Sequence, residues 1–175
     1  LSGVGKDSLT FIGIHSSTGC MDSISRVLQI DTVPMVTMDT LPDLCSDALT
    51  FSLTQGNPKS KGTGQYTGTG IISGKFYPSL SGVGKHVVLY DFTDLNGCKS
   101  SDTTSFTINS IPSMTAANIA DQCVGSDSIL ISGATPLGGH YIGSFVDSTT
   151  QKFAPDSVGV WSIRYDFTDS NKCSN

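Results

Sequence analysis

The stretch Leu80–Cys98, LSGVGKHVVLYDFTDLNGC, occurs in related form at two other places in the chain. The chain opens on the same six letters, LSGVGK, and reaches a cysteine at Cys20. Near the other end, SVGVWSIRYDFTDSNKC runs from Ser157 to Cys173. The glycine common to the three stretches stands at Gly5, Gly84 and Gly159, which gives intervals of 79 and 75 residues. A motif that recurs at this spacing indicates a repeat protein.

Each copy has the pattern of a β-hairpin. The apolar and aromatic run Val87–Phe92 is typical of a buried strand, and Asp94–Gly97 supplies a turn, since Asn-Gly tolerates positive φ. Polar and apolar residues then alternate over Ser105–Ile108, as in a half-buried strand. The pattern therefore predicts a hairpin with a cysteine just past its turn.

The composition favours an all-β chain rich in turns. All 15 acidic residues are Asp, and 19 residues are Gly, so strong helix formers are scarce. Earlier in the middle copy, Leu49, Phe51 and Leu53 alternate on one predicted face, and Tyr66, Ile71 and Phe76 are predicted to point inward. The joints between copies are short and each contains a proline (Pro34 and Pro112), which restricts swivel between neighbours. We expect tandem antiparallel β-sandwich repeats arranged as a stiff rod.

The repeat predicts three units. Residues 1–31 are the C-terminal part of one repeat, residues 32–109 a complete repeat, and residues 110–175 a repeat that lacks its last strand. We therefore expect the chain to be a segment of a longer polypeptide. Its open repeats could be completed by neighbouring chains, which suggests a homo-oligomer or a filament.

The net charge of −5 gives no electrostatic reason to expect nucleic acid as a partner. No apolar run approaches the length that membrane insertion requires.

The five cysteines follow the repeat. Cys45 and Cys98 belong to the middle copy and Cys123 and Cys173 to the last, whereas Cys20 is expected to pair outside this segment. With no Cys-x-x-Cys motif, pairs at repeat spacing favour disulfides over zinc. One bridge within each repeat would close a loop of about 50 residues and contribute roughly 4 kcal/mol in the chain-entropy model. Disulfides imply a secreted, extracellular protein.

These residues resemble the Ig-like or PKD-like repeats of very large surface proteins of Bacteroidota, including gliding-motility adhesins exported by the type IX secretion system. The resemblance covers nearly the whole chain. It implies an extracellular stalk or fibre on the cell surface, with a structural or adhesive role and no catalytic residue. The first copy departs from the motif at Phe11–Ile14, and the last carries Lys172 before its cysteine. The matched positions are Cys45, Pro58, Tyr66, Gly68, Phe76, Pro78, Gly84 and Tyr90–Cys98, with Cys123, Pro136–Gly143, Phe153, Pro155, Gly159 and Tyr165–Cys173.

A second pattern looks like the O-glycosylation sequon of the same phylum: Asp, then Ser or Thr, then an aliphatic residue or Thr. It occurs eight times, where composition alone would give roughly two or three. The alternative interpretation is that Asp-Ser and Asp-Thr are ordinary turn dipeptides. The predicted acceptors are Ser8, Ser23, Thr32, Thr40, Thr103, Ser128, Ser148 and Ser157.

The sequence gives little support to catalytic or metal chemistry. The histidines, His15, His86 and His140, do not recur at equivalent positions, so a shared metal or acid–base role is disfavoured, and no enzyme motif is present. We expect no cofactor or metal. Calcium is the alternative at the paired Asp91 with Asp94 and Asp166 with Asp169, although capping of the turn by the second Asp of each pair explains them better.

The rival function is a carbohydrate-binding accessory module of a secreted multidomain protein, with surface glycans as partners. Such sites present exposed aromatic rings to sugar faces. The candidates are Tyr66, Tyr77, Tyr141 and Trp161. Most of them stand at equivalent positions of the repeat, which favours core packing, whereas Tyr77 does not recur (Ala154 stands there) and is the best single surface candidate.

Overall fold

The computed structural model describes residues 3–175; Leu1 and Ser2, which begin the first LSGVGK motif and the first predicted unit, lie outside the described residues. The described chain is all-β, with one helical turn of four residues. This confirms the predicted all-β class. No helix of residues 3–175 is long and apolar enough to cross a membrane.

The first copy is a long hairpin of β1 (Gly5–Ile14) and β2 (Met21–Ile30). Its ladder pairs Gly5 with Ile30 and Ile14 with Met21, so the hairpin that the sequence predicts for each copy forms here. Most of the apolar side chains of this hairpin are exposed, including Phe11 (73%) and Val27 (69%). The hairpin therefore contributes no residue to either buried core.

The middle copy carries the largest sheet, a four-stranded one in the order β4-β11-β10-β7. Shorter strands form a pair, β3 with β6, and a three-stranded sheet, β5-β9-β8. The elements of this copy are β3 (Val36–Met38), β4 (Leu44–Cys45), β5 (Phe51–Ser52), β6 (Gly56–Pro58), β7 (Gly62–Thr67), β8 (Ile71–Ile72), β9 (Lys75–Phe76), α1 (Pro78–Ser81), β10 (Gly84–Asp94) and β11 (Lys99–Asn109).

The core of the middle copy lies between the four-stranded sheet and β5-β9-β8. Phe76 on β9 is fully buried and meets the ring of Phe106 on β11 edge-on, with 5.0 Å between centroids. Side chains alternate along β11, where Thr104, Phe106 and Ile108 are buried. Tyr66 and Ile71 pack against this core as predicted. Leu49 does not, because the chain turns at Cys45–Ala48 and leaves its side chain 88% exposed.

The third copy has a smaller core and shorter strands. Its buried residues are Ile131, Ala134, Tyr141 and Phe153. Its elements are β12 (Ile129–Leu130), β13 (His140–Gly143), β14 (Val146–Asp147), β15 (Lys152–Phe153) and β16 (Ile163–Asp166). Two separate cores thus occupy the two later copies; the exact unit boundaries and the Ig-like assignment stay predictions.

Candidate functional site: the cysteine junction between copies

The same turn carries a cysteine in the middle and last copies. One carboxylate oxygen of Asp94 accepts the backbone N–H groups of Asn96 and Cys98, both at 2.9 Å. The carboxylate of Asp169 accepts those of Asn171 and Cys173 at the same distances. This capping is the role that the sequence favoured over calcium binding.

The turns tolerate different residues at their tightest position. Gly97 has φ 85°, and Lys172 takes its place in the last copy with φ 67°. Lys172 therefore adopts a left-handed conformation in which glycine is the favoured residue. The departure in sequence leaves the turn intact, with the Lys172 N–H donating to the carbonyl of Asp169.

The turn of the first copy is related. The His15 N–H donates to the Cys20 carbonyl, as the N–H groups of Asp94 and Asp169 donate to Cys98 and Cys173. All three hairpin cysteines thus occupy one structural position.

The disulfide joins two copies instead of closing one. Cys45 is bonded to Cys173, with 5.5 Å between their Cα atoms and 128 residues between them in sequence. The predicted pairings within copies, Cys45 with Cys98 and Cys123 with Cys173, are therefore wrong in this structure. Cys45 lies beside Asn109, at the far end of β11 from Cys98, so a strand of 11 residues, roughly 35 Å long, separates the expected partners.

Two further contacts hold this junction together. The Asp43 carboxylate accepts the Thr107 N–H at 2.7 Å, which fixes β4 against the end of β11. On the other side of the bond, the Asn175 side-chain amide donates to the carbonyl of Pro112, in the joint between the copies. Cys173 is fully buried. The disulfide thereby fixes the hairpin turn of the third copy to β4 and the end of β11 in the second copy.

Cys98 occupies the corresponding position at the preceding joint. It is half-buried and unbonded, and its pKa is raised by burial and then by the carboxylates of Asp94 and Asp31. Asp31 directly follows β2, as Asn109 ends β11, and these two residues are 78 positions apart, like Cys45 and Cys123. The charge of Asp31 thus acts on the Cys98 thiol, and Asp31 corresponds in the repeat to Asn109, the neighbour of Cys45.

A solvent-exposed groove lies beside Cys123. Cys123 is exposed and unbonded, and a groove of about 680 Å³ lies between residues 117–124 and residues 157–163. Phe153 and Pro155 also line the groove, and Val160 on its wall is fully exposed. No motif in the sequence predicts this groove, because its lining comes from segments that are separate in the sequence.

The aromatic candidates for sugar binding divide into core and surface. Tyr141 is buried and Tyr66 is half-buried against the core, and their hydroxyls accept the N–H groups of Ala134 (2.9 Å) and Gly56 (2.7 Å) respectively. Tyr77 is half-buried at the start of α1. Trp161 is 38% exposed and meets Phe145 edge-on at 4.9 Å, on the wall of the groove. No flat set of exposed rings forms among these four residues.

The titratable candidates are spread apart. Within residues 3–175 no group of three His, Cys, Asp or Glu side chains is placed to hold a metal ion. Asp166 forms an ion pair with Arg164, and His86 donates a ring N–H to the Gly82 carbonyl at 2.8 Å. His15 lies in the first turn, where its ring contacts the hydroxyls of Ser17 and Thr18.

All eight predicted glycosylation acceptors are exposed. Three of them, Ser8, Ser23 and Thr103, lie within long strands, where turn propensity does not explain an Asp-Ser or Asp-Thr pair. At Asp147 the turn interpretation holds, because its carboxylate accepts the N–H groups of Thr149 and Thr150.

Comparison of the chain with models of protein families found no matching family, and comparison with curated proteins found no matching relative.

Proposed function

We propose that this chain is a structural segment of a secreted, extracellular repeat protein, in which successive β-modules are fastened across their joints by disulfides. The observation that carries the proposal is the Cys45–Cys173 bond, which crosses the joint at Pro112. A disulfide persists in oxidising compartments, which supports an extracellular site of action. The resemblance to the Ig-like repeats of Bacteroidota adhesins agrees with a fibre on the cell surface.

The Cys45–Cys173 disulfide, which we call the staple, determines which part of the chain can extend under tension. When a rod is pulled from its ends, a bond between Cys45 and Cys173 carries the load past the whole third core and past most of the second. Core strands between the two cysteines then cannot be drawn out while the bond is intact. A staple within one copy would protect only that copy and would leave the joint free to bend.

The repeat places Cys98 and Cys123 at the corresponding positions of the two neighbouring joints. In the proposed protein, a strand cysteine of one copy pairs with the hairpin cysteine of the next. Neighbouring repeats of the same protein are therefore the proposed partners, with each joint closed in the same way.

Single-molecule pulling from the two ends tests this function. The oxidised chain should not release the residues between Cys45 and Cys173, whereas the reduced chain should extend by roughly a further 45 nm, at about 3.6 Å per residue. The variant Cys45→Ser should behave as the reduced chain, and Cys123→Ser as the oxidised wild type. Equal extensions for the oxidised and reduced chains would contradict the proposal.

We also propose O-glycosylation of the exposed Asp-Ser and Asp-Thr sites. Their exposure and the placement of Ser8, Ser23 and Thr103 inside strands support it. Intact-mass measurement of native protein should show hexose-sized additions that are lost site by site in Ser→Ala variants. A native mass equal to the sequence mass would contradict this part of the proposal.

Carbohydrate binding is the second candidate. The exposed Trp161–Phe145 pair favours it, whereas Tyr66 and Tyr141 are committed to the cores. Glycan-array binding that is lost on Trp161→Ala or Tyr77→Ala would support this role over a purely structural one.

A further inference from the structure

A polar cleft of about 640 Å³ lies on the outer face of the four-stranded sheet of the second copy. Its floor is the backbone of Gly64, Phe92 and Ser100, which lie side by side on β7, β10 and β11. The Phe92 side chain points to the opposite face of the sheet, where it is buried. The cleft has a volume typical of small-molecule sites.

Two rows of polar side chains form the walls of the cleft. Side chains alternate between the faces of a strand, so the residues on either side of the floor point to its solvent side. The two rows are Gln65, Asp91 and Ser101, and Thr63, Thr93 and Lys99. The walls thus present a carboxylate, an ammonium group, an amide and several hydroxyls, all of which form hydrogen bonds.

The carboxylate of Asp91 lacks the partner that its counterpart has in the third copy. Asp166 stands at the equivalent position and forms an ion pair with Arg164, two residues before it on the same strand. The second copy has Leu89 in place of that arginine. The Arg164–Asp166 pair is the one salt bridge within residues 3–175, so Asp91 is free to accept hydrogen bonds from a ligand.

The second row shows the same contrast. In the third copy Thr168 and Ser174, the counterparts of Thr93 and Lys99, join their hydroxyls in a hydrogen bond of 2.8 Å. In the second copy a lysine replaces this serine, and no such bond forms between the two side chains. Polar groups that the third copy pairs internally are therefore left open in the second.

The charges of the cleft favour a neutral ligand. One carboxylate and one ammonium group leave its lining without net charge, so neither an anion nor a cation is attracted by the cleft as a whole. The positive charge of Lys99 also opposes a metal ion, and in the part of the chain that the structure describes no three side chains are placed to hold one.

We propose that this cleft binds a neutral oligosaccharide through the hydroxyls of its sugar rings. A hydroxyl both donates and accepts, so it can donate to Asp91, accept from Lys99 and do either with Gln65. Hydrogen bonds to charged groups are the stronger ones, which makes the carboxylate and the ammonium group the main contributors. The inference rests on the second candidate function, carbohydrate binding, and gives it a site and a ligand class.

NMR titration of the oxidised full chain tests the site. The probes are the methyl glycosides of glucose, galactose and mannose, each a single neutral sugar ring. We expect saturable shifts of the backbone amides of residues 63–65, 91–93 and 99–101 with at least one glycoside. Absence of such shifts with all three would overturn the inference. Stronger binding of methyl glucuronide than of methyl glucoside would also overturn it, because it would indicate an anion site at Lys99.

Two sources can supply the saccharide, another molecule or this chain itself. Thr103, a proposed glycosylation acceptor, lies opposite Leu89, in the row of the sheet next to Asp91 and Ser101. If a glycan on Thr103 fills the cleft, native protein should bind the glycosides more weakly than unglycosylated protein, and Thr103→Ala should restore binding. Equal binding by native and unglycosylated protein would identify a glycan of another molecule as the ligand.

Variants separate this site from the aromatic pair at Trp161. Asp91→Asn should weaken binding at least about tenfold, because it removes a charged acceptor and keeps the shape of the side chain. Leu89→Arg should also weaken binding, since it introduces the ion pair of the third copy and retains every residue of the cleft. The matched control Asp166→Asn, at the equivalent carboxylate, should leave binding unchanged.

Trp161→Ala should leave binding unchanged as well. Binding that is lost in Trp161→Ala and kept in Asp91→Asn would overturn the inference while supporting carbohydrate binding itself. The outcome is independent of the pulling experiment, since neither variant touches the Cys45–Cys173 bond.

Discussion

Cys45 and Cys173 are bonded although 128 residues and a joint between two β-modules separate them. Each belongs to a different copy of the repeat, and each has a counterpart one copy away, Cys123 and Cys98 respectively. The bond therefore joins one copy of the repeat to the next.

Replacing Cys45 or Cys173, which form the disulfide, should lower the free energy of unfolding more than replacing any other cysteine. In the chain-entropy model, a loop of this length contributes about 4 to 5 kcal/mol. In guanidinium unfolding, the free energy of unfolding of oxidised Cys45→Ser should fall by a large part of this contribution. It should then equal that of the reduced wild type. Cys123→Ser, which removes an exposed free thiol, should stay within about 0.5 kcal/mol of the wild type. Equal losses for the two variants would contradict the assignment of the bond.

Asp94→Ala should destabilise the middle hairpin. Its carboxylate accepts two N–H bonds in the turn, and charged hydrogen bonds of this kind contribute about 1 to 3 kcal/mol in total. Asp91→Ala, an exposed carboxylate on the same strand, is the matched control and should change the free energy of unfolding little. Calcium should have no effect on either variant; a calcium-dependent rise in melting temperature that Asp94→Ala abolishes would restore the metal interpretation.

Lys172→Gly should stabilise the last turn by about 0.5 kcal/mol, since left-handed backbone is costly for a side chain with a Cβ, although glycine gains more freedom in the unfolded chain. The reciprocal change Gly97→Lys should destabilise the middle turn by a comparable or larger amount. Thermal unfolding of both variants measures this, and stabilisation by Gly97→Lys would show that the two turns differ.

The pH at which the Cys98 thiol becomes reactive should depend on Asp31, at the joint between the first and second copies. Burial and the nearby carboxylates raise the pKa of this thiol, which disfavours the reactive thiolate. Its alkylation rate in the folded protein should therefore rise at higher pH than in the urea-unfolded chain. Asp31→Asn should move that rise to lower pH, whereas Asp39→Asn, at a different exposed aspartate, should not. An Asp31→Asn profile identical to that of the wild type would show that Asp31 and Cys98 do not interact.

The hairpins were predictable because their signals are local. The Asp-x-Asn-Gly turn and the alternation around Phe106 and Ile108 lie within a few residues of each other, and both strands form as expected. Lys172 shows that backbone hydrogen bonds and the Asp169 cap preserve the turn even where its preferred glycine is absent.

The partner of Cys45 could not be found in the same way. Repeat spacing places Cys45 and Cys98 in one unit, but β11 carries the chain from one end of the sheet to the other, so the two residues finish at opposite ends. Cys45 lies beside Asn109, the last residue of β11, and the next copy begins just after that residue. The strand cysteine is therefore close to the next copy and far from Cys98. The groove beside Cys123 was equally invisible, because its walls come from two separate segments of the sequence, residues 117–124 and 157–163.

Peptide mapping of the oxidised native protein, digested without reduction and with free thiols blocked, tests the central claim most directly. We predict a disulfide-linked pair of peptides that contain Cys45 and Cys173. Recovery of Cys45 linked to Cys98, or of Cys123 linked to Cys173, would contradict the staple between copies and return each disulfide to a single module.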